Sequence, residues 1–467
     1  MKTLIKIKQV VVVLLCCLFS GCEDYLEIGA PDHKIVSETI FNNDEAAKST
    51  MVGIYNQLFN ADFSSGAGAS VTVLAGLSAD VLTTIRTNNL PYMEFEEHEI
   101  LANNFRNLNL WSSAYNIIYM TNSLLEGIKN SDGISEDVRD QLKGEAKFVR
   151  AFVYFYLVNL YGEVPLVLST NYRTNSLAVR DTQEEVYLQI IDDLTGAMDL
   201  LKENFTTGER TQVNRYTAIA LMARVQLYRQ NWEEAETLSS QVIAQTGSFE
   251  ILEDLDQVFL ANNREVVWQL SPEGRGSILT NTNEGATFII HPILSFLAHL
   301  KLSDDFVASF EEEDNRLLHW IGYDQRTVSY YPFKYKIRNS TENISEYSMV
   351  LRLAEQYLIR AEALVMQDDL QKAMADLDKI RGRAGLELLV DINPEISKEE
   401  LLDKIIEERK RELFTEWGHR WLDLKRTGKA GEILGEDNPH WQETDVLYPI
   451  PEEERMKNPN LTQNLGY

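Results

Sequence analysis

The chain has 467 residues, with 72 Asp and Glu against 44 Lys and Arg for a formal net charge of −28, and only three cysteines. Such a surface argues against nucleic acid as a partner, because phosphate binding needs clustered cations to release counterions. It also offers no basic face to anionic lipid, and a chain this long can bury a large core without disulfides. Cys16, Cys17 and Cys22 all lie at the N-terminal end, so the body has no thiol for a disulfide, a zinc site or a nucleophile.

Taken in chain order, Lys2, Lys6 and Lys8 precede an unbroken apolar run from Val10 to Phe19, then the small pair Ser20 and Gly21. A positive start, a short apolar stretch and small residues predict a secretory signal over 1–21, too short to span a bilayer. Cys22 directly after the small pair resembles the bacterial lipoprotein box, whose thiol takes a diacylglycerol and becomes the mature N-terminus. Phe19 departs from that pattern, which usually has an aliphatic there. A lipid-anchored tether is expected over 22–40 and a single domain over 41–467. No later stretch reaches 18 apolar residues, so acyl chains, at about 0.8 kcal/mol per buried methylene, would do the anchoring.

From Ala47 onward helical spacing dominates. Met51, Ile54, Tyr55 and Leu58 recur with a 3.6 period, as do Trp111, Tyr115, Ile118 and Leu125. A long helix is predicted to open at Ser135, run through Val138, Leu142, Ala146, Val149 and Phe152, and stop near Gly162 ahead of Pro165. Thr182 with Glu185, and Ser397 with Glu400, have capping-box spacing. Ala223 and Ala235 lie twelve apart around one turn, and Ala361 and Ala373 repeat that spacing. Small residues at such points let two helices approach closely, as in tetratricopeptide hairpins. Two long stretches, 61–108 and 247–350, read as irregular, with a strand expected near Val266 in the second. Loops of that length are usually functional, so the ligand side is sought there.

No catalytic constellation is visible. The chain lacks HExxH, GxSxG, GxGxxG and phosphate-loop spacings, and acids are too numerous for a glycosidase pair to be singled out. Glu96, Glu97 and Glu99 around His98 read as a solvated acidic loop. The chain is therefore expected not to be an enzyme and to need no cofactor or metal, with a structural calcium left open. What remains is recognition by aromatic faces and amide or guanidinium groups. The candidates are Arg86, Asn88, Asn89, Tyr92 and Phe95 in the first stretch, then Arg275, Asn281, Asn283, His291, Trp320 and Tyr323 in the second. Tyr92, beside Asn88 and Asn89 in a Pro-containing loop, leads them.

Motifs along nearly the whole chain resemble the SusD/RagB family: C22-EDYLE-27, N43-DEAAKSTMVGIYNQL-58, L110-WSSAYNIIYMTNSLLEGI-128, G144-EAKFVRAFVYFYLVNLYGEVPLV-167, R352-LAEQYLIRAEAL-364, I380-RGRAG-385, E408-RKRELFTEWGHRWLDLKRTG-428, Y448-PIP-451 and N458-PNLTQNLGY-467. Lys147 stands where that family usually has Arg. The resemblance implies a mainly α SusD-like fold, with about four tetratricopeptide-like hairpins as scaffold and few short strands. It further implies an outer-membrane lipoprotein of Bacteroidetes, lipid-anchored and cell-surface exposed. Such a protein captures an oligosaccharide and passes it to a SusC-like TonB-dependent transporter. A RagB-like peptide receptor is the alternative within this architecture; a lipid-anchored glycosidase and a protein-binding tetratricopeptide scaffold are the others. Glu145, Arg150, Glu408, Arg409, Glu412 and Arg420 are expected to form buried ion pairs between helices. The segments 449–451 and 463–464 are expected to pin the tail to the body.

Overall fold

The computed structural model describes residues 41–272, 281–340, 343–436 and 438–467. The signal, Cys22, the tether and Arg275 lie outside the described residues. Helix α1 (Asp44–Asn60) is capped by Asn43, whose side chain accepts from the Ala46 amide. Helices α2 (Val71–Leu77) and α3 (Leu90–Glu96) are short and flank strand β1 (Leu82–Thr84). Helices α4 (Phe105–Lys129) and α5 (Glu136–Tyr161) form a long hairpin, and α6 (Gln183–Leu200) packs back onto α5.

The expected limits of α5 are borne out, with Ser135 at the N-cap and Gly162 at the C-cap with φ +74°. Gly162 tolerates that left-handed conformation because it has no Cβ. From Gly144 onward almost every residue of α5 is buried, so this helix is the spine of the core. Phe148 and Phe152 meet Trp268 edge-on at 5.0 and 5.1 Å, and Phe152 and Tyr156 lie against Trp417. Both predicted capping boxes are present, at Thr182–Glu185 and Ser397–Glu400.

The two alanine-spaced units are helix pairs: α7 (Arg215–Tyr228) with α8 (Trp232–Ile243), and α9 (Leu353–Met366) with α10 (Leu370–Arg383). Ala223, Ala235, Ala361 and Ala373 are all fully buried. Far apart in sequence, the pairs stack directly, α8 against α9. Arg224 and Glu355, both about 1% exposed, join α7 to α9 through hydrogen bonds of 2.6 and 2.7 Å. Helices α11 (Lys398–Glu412) and α12 (His419–Arg426) complete the scaffold, which is mainly α with few short strands.

The expected ion pairs form at Arg150–Asp193, Arg409–Asp423 and Arg420–Asp80, while Glu408 and Glu412 share Arg316. Glu145 departs from expectation: its carboxylate accepts from the Tyr55 hydroxyl (2.9 Å) and the Gln141 amide (2.7 Å) and, among the described residues, meets no cation. The tail is pinned as expected. Asn464 donates to the Tyr161 and Tyr448 carbonyls, and Asn107 donates to that of Pro449.

The stretch 61–108 is more regular than its composition suggested, since α2, β1, α3 and the start of α4 fall inside it. Pro91 sits in the first turn of α3, where its missing N–H leaves no bond unmade, so a proline expected to mark a loop starts a helix. Among the described residues the sheets are three antiparallel pairs: β1 with β3 (Leu300–Leu302), β2 (Val266–Leu270) with β6 (Ser348–Arg352), and β4 (Ile321–Asp324) with β5 (Ser329–Pro332). The β1–β3 pair, with Leu82 opposite Leu302 and Thr84 opposite Leu300, ties the two stretches together.

A candidate ligand pocket between the two loop-rich stretches

Beside Leu300, at the end of the β1–β3 pair, a cavity of about 210 Å³ opens between the stretches. Its wall includes Gly68 and Tyr92 from the first, and His291, Leu297, His299 and Arg338 from the second. Tyr92 is placed by α3 and fixed at both ends. Its hydroxyl donates to the Gly68 carbonyl (3.1 Å), and the Arg106 guanidinium lies 3.7 Å over its ring. The same guanidinium is 5.0 Å from the Phe105 ring, so the cation is held between two aromatic groups at the start of α4. Burial raises the Tyr92 phenol above its usual range, and it stays protonated at neutral pH.

His291 accepts at Nδ1 from the amides of Ile293 and Leu294, both at 3.0 Å. With Nδ1 accepting, Nε2 is the ring nitrogen that carries a proton to donate. The backbone carbonyl of His299 accepts from the Ile85 amide (2.8 Å), which brings Arg86 beside it. Burial, then the charges of Arg86 and Arg106, hold the His299 imidazole below its ordinary range. Below the cavity, the short helix Asn283–Phe288 carries Glu284, whose carboxylate accepts from the Ser348 hydroxyl. Gly66, at φ +75°, presses against that carboxylate, and a Cβ there would overlap it.

The sequence candidates fall into separate groups. Tyr92 and His291 converge on the cavity, and Arg86 stands behind its wall. Asn88 is exposed, and Asn89 is the N-cap residue of α3 without a side-chain capping bond. Phe95 is fully enclosed, with its ring 5.2 Å from that of Tyr448. Trp320 is enclosed as well: its indole donates to the Leu255 carbonyl (3.0 Å) and its ring lies 4.8 Å from the Lys334 ammonium. Asn281 accepts from the amides of Ser345 and Glu346, and Asn283 donates to the Phe59 carbonyl, so both brace the backbone. Tyr323, 49% exposed, stacks beside Tyr330 on the β4–β5 hairpin and is not in the cavity wall. His98 is packed between Trp421 and Trp441, and Glu96 turns onto Thr83 and Thr84.

Arg106, His299 and Arg338 had no sequence signal. Each is a lone polar residue whose relevance comes from a contact across the chain. A larger cavity, about 550 Å³, lies at Phe41, Tyr119 and Glu126, where the described chain begins, and it contains none of the candidates.

The comparisons with known proteins agree with this architecture. A family model described as starch-binding and associating with the outer membrane matches residues 24–227, and the SusD family model matches residues 321–467. SusD-like protein P25 of Formosa agariphila is 24% identical, covering 98% of this chain and 99% of its own. The starch-binding protein SusD of Bacteroides thetaiotaomicron is 33% identical over a shorter region, 25% of this chain and 21% of its own. Among solved structures, a SusD superfamily protein from Bacteroides vulgatus aligns with a TM-score of 0.82 at 20% identity, covering 92% of this chain and all of that one. A laminarin-binding SusD-like protein aligns at 0.77 with 23% identity, covering 91% of this chain and all of its own. At these identities the structural likeness is one of fold. With two models of one family matching most of the chain and the fold shared nearly end to end, the chain belongs to the SusD/RagB family.

Proposed function

We propose that this protein is a non-catalytic receptor that captures an oligosaccharide at the cell surface and delivers it to a SusC-like TonB-dependent transporter. Cys22 would carry the lipid anchor in the outer membrane. The observation that carries the proposal is the cavity at β1–β3, where Tyr92 and His291 converge from stretches far apart in sequence. Its wall combines apolar groups, including Leu294, Leu297 and Ile290, with a few polar ones. That mixture suits a sugar, which has a C–H face to pack and hydroxyls to orient. Support also comes from the starch-binding description of the matching family model and from the laminarin-binding neighbour of the same fold. Among the described residues no helix is long and apolar enough to cross a membrane, and a lipid anchor fits that observation.

The experiment is a calorimetric titration of the protein with a panel of oligosaccharides, repeated on Tyr92→Ala. The substitution removes a stacked ring from the cavity wall and is expected to weaken binding about tenfold or more, some 1.4 kcal/mol. Circular dichroism separates that loss from unfolding. Unchanged affinity in a folded variant would move the site elsewhere, and binding of oligopeptides alone would replace the glycan assignment. Delivery is checked by affinity capture from detergent-solubilised outer membranes, where a transporter of the TonB-dependent class is expected to copurify.

A further inference from the structure

The charge around the cavity is opposite to that of the chain. In a protein with 72 acids, no Asp or Glu lines this cavity among the described residues, whereas Arg338, His291 and His299 do. Arg86 and Arg106 add to the same side, and the charge of each is felt at His299. Several arginines elsewhere are matched to carboxylates, as Arg150 is to Asp193, Arg381 to Glu311 and Arg426 to Glu362, while Arg139 and Arg210 bind carbonyls and Arg338 Nε donates to that of Ile289 (3.0 Å). Among the described residues Arg86 and Arg106 form no such pair, and Arg106 Nε is buried without a hydrogen-bond partner. Asp62 is an acid whose charge is felt on this wall, at Tyr92.

We infer that the sugar ring seated in this pocket is anionic, bearing a carboxylate or a sulfate ester. Its charged oxygens face Arg338 and the Nε2–H of His291, within the field of Arg86 and Arg106. Guanidinium groups suit this task because their planar donors match both oxyanions. The net charge of −28 does not prevent it. At physiological salt, fields decay over about 8 Å, so the groups lining the pocket outweigh the distant acids. A volume of about 210 Å³ is small for a whole oligomer and fits one ring of a longer chain. The inference rests on the oligosaccharide-receptor proposal and names the class of sugar.

The test is calorimetry with four probes: tetragalacturonate for the carboxylate, a κ-carrageenan tetrasaccharide for the sulfate ester, and laminaritetraose and maltotetraose as neutral sugars. One anionic probe is expected to bind about tenfold tighter than either neutral one, and which of the two does so identifies the anion. Its affinity should fall several-fold on raising NaCl from about 50 to 500 mM, as screening predicts. Arg338→Gln and Arg86→Gln should each weaken it about fivefold, with folding verified by circular dichroism. Among the described residues the Arg86 side chain makes no hydrogen bond or ion pair, so its variant tests the charge even if Arg338→Gln is unstable. Equal or tighter binding of the neutral probes would overturn the inference and leave the receptor proposal standing. Anion binding indifferent to salt and to both substitutions would overturn it too. If no saccharide of either kind binds, the receptor proposal falls with it.

Discussion

Glu145 shows how far a single side chain can be understood from its type alone. Its place on a helix beside Arg150 predicted an ion pair, yet its partners are a phenol and an amide. Burial without a cation pushes its carboxyl up to about 7. The unfolded carboxyl titrates near 4.5, so the stability lost to this group grows as pH rises from about 4.5 to about 7. Glu145→Gln removes that titration. Its stability relative to the parent should improve by on the order of 2 kcal/mol between pH 5 and pH 8, read by urea unfolding at each pH. A difference independent of pH would show the carboxyl ionised in the fold. The candidate ligand residues pose the same problem. Tyr92, Phe95 and Trp320 are equally plausible aromatic contacts in sequence and all three are buried, and only the cavity wall, which includes Tyr92 alone of them, distinguishes them. Helical or strand spacing says which face a ring lies on, not what lies over it.

At the scale of elements, the sequence was most informative where the physics is local. Capping boxes at Thr182 and Ser397, the Gly162 stop and the period of α5 depend on residues a few positions apart, and all are present. Short helices in the stretch 61–108 were missed because α2 and α3 each have only seven residues, too few for a 3.6 period to show. The twelve-residue alanine spacing revealed two hairpins but not that α8 of one packs on α9 of the other. Arg224–Glu355 fastens that join. Glu355→Ala should cost about 3–5 kcal/mol because it leaves a buried guanidinium unpaired. Replacing both residues by Met should recover most of that loss, since an apolar pair has no charge to desolvate. Denaturant midpoints of the single and double variants measure the difference.

Across the whole molecule, the scaffold closes around a buried network of charges. Arg316, Arg352 and Arg383 share Glu265, Glu408, Glu412 and Asp314, with Lys334 and Glu416 alongside. Burial alone would raise the Glu412 carboxyl, but Arg383, Arg352 and Arg316 outweigh it and hold it at about 2. A depressed carboxyl contributes stability that is complete above about 4.5 and lost as pH falls toward 2. Glu145, Glu284 and Glu346, each raised to about 7 chiefly by burial, act in the other direction and cost stability as pH rises from 4.5 to 7. His98, lowered by burial to about 4, costs stability as pH falls below 6.5 and narrows the optimum. Three raised carboxyls outweigh one lowered imidazole, so the thermal midpoint is expected to fall between about pH 5 and pH 7, and scanning calorimetry over that range would show it. A midpoint that rises from pH 5 to pH 7 would contradict these assignments. By itself the sequence determined the α class, the helix limits, the acidic body and the family, because periodicity, caps and motif order are written in neighbouring residues. Tertiary structure alone decided which of the many aromatic, amide and basic residues share a pocket. The β1–β3 pairing that brings its two sides together joins residues more than 200 positions apart, and no local rule encodes that contact.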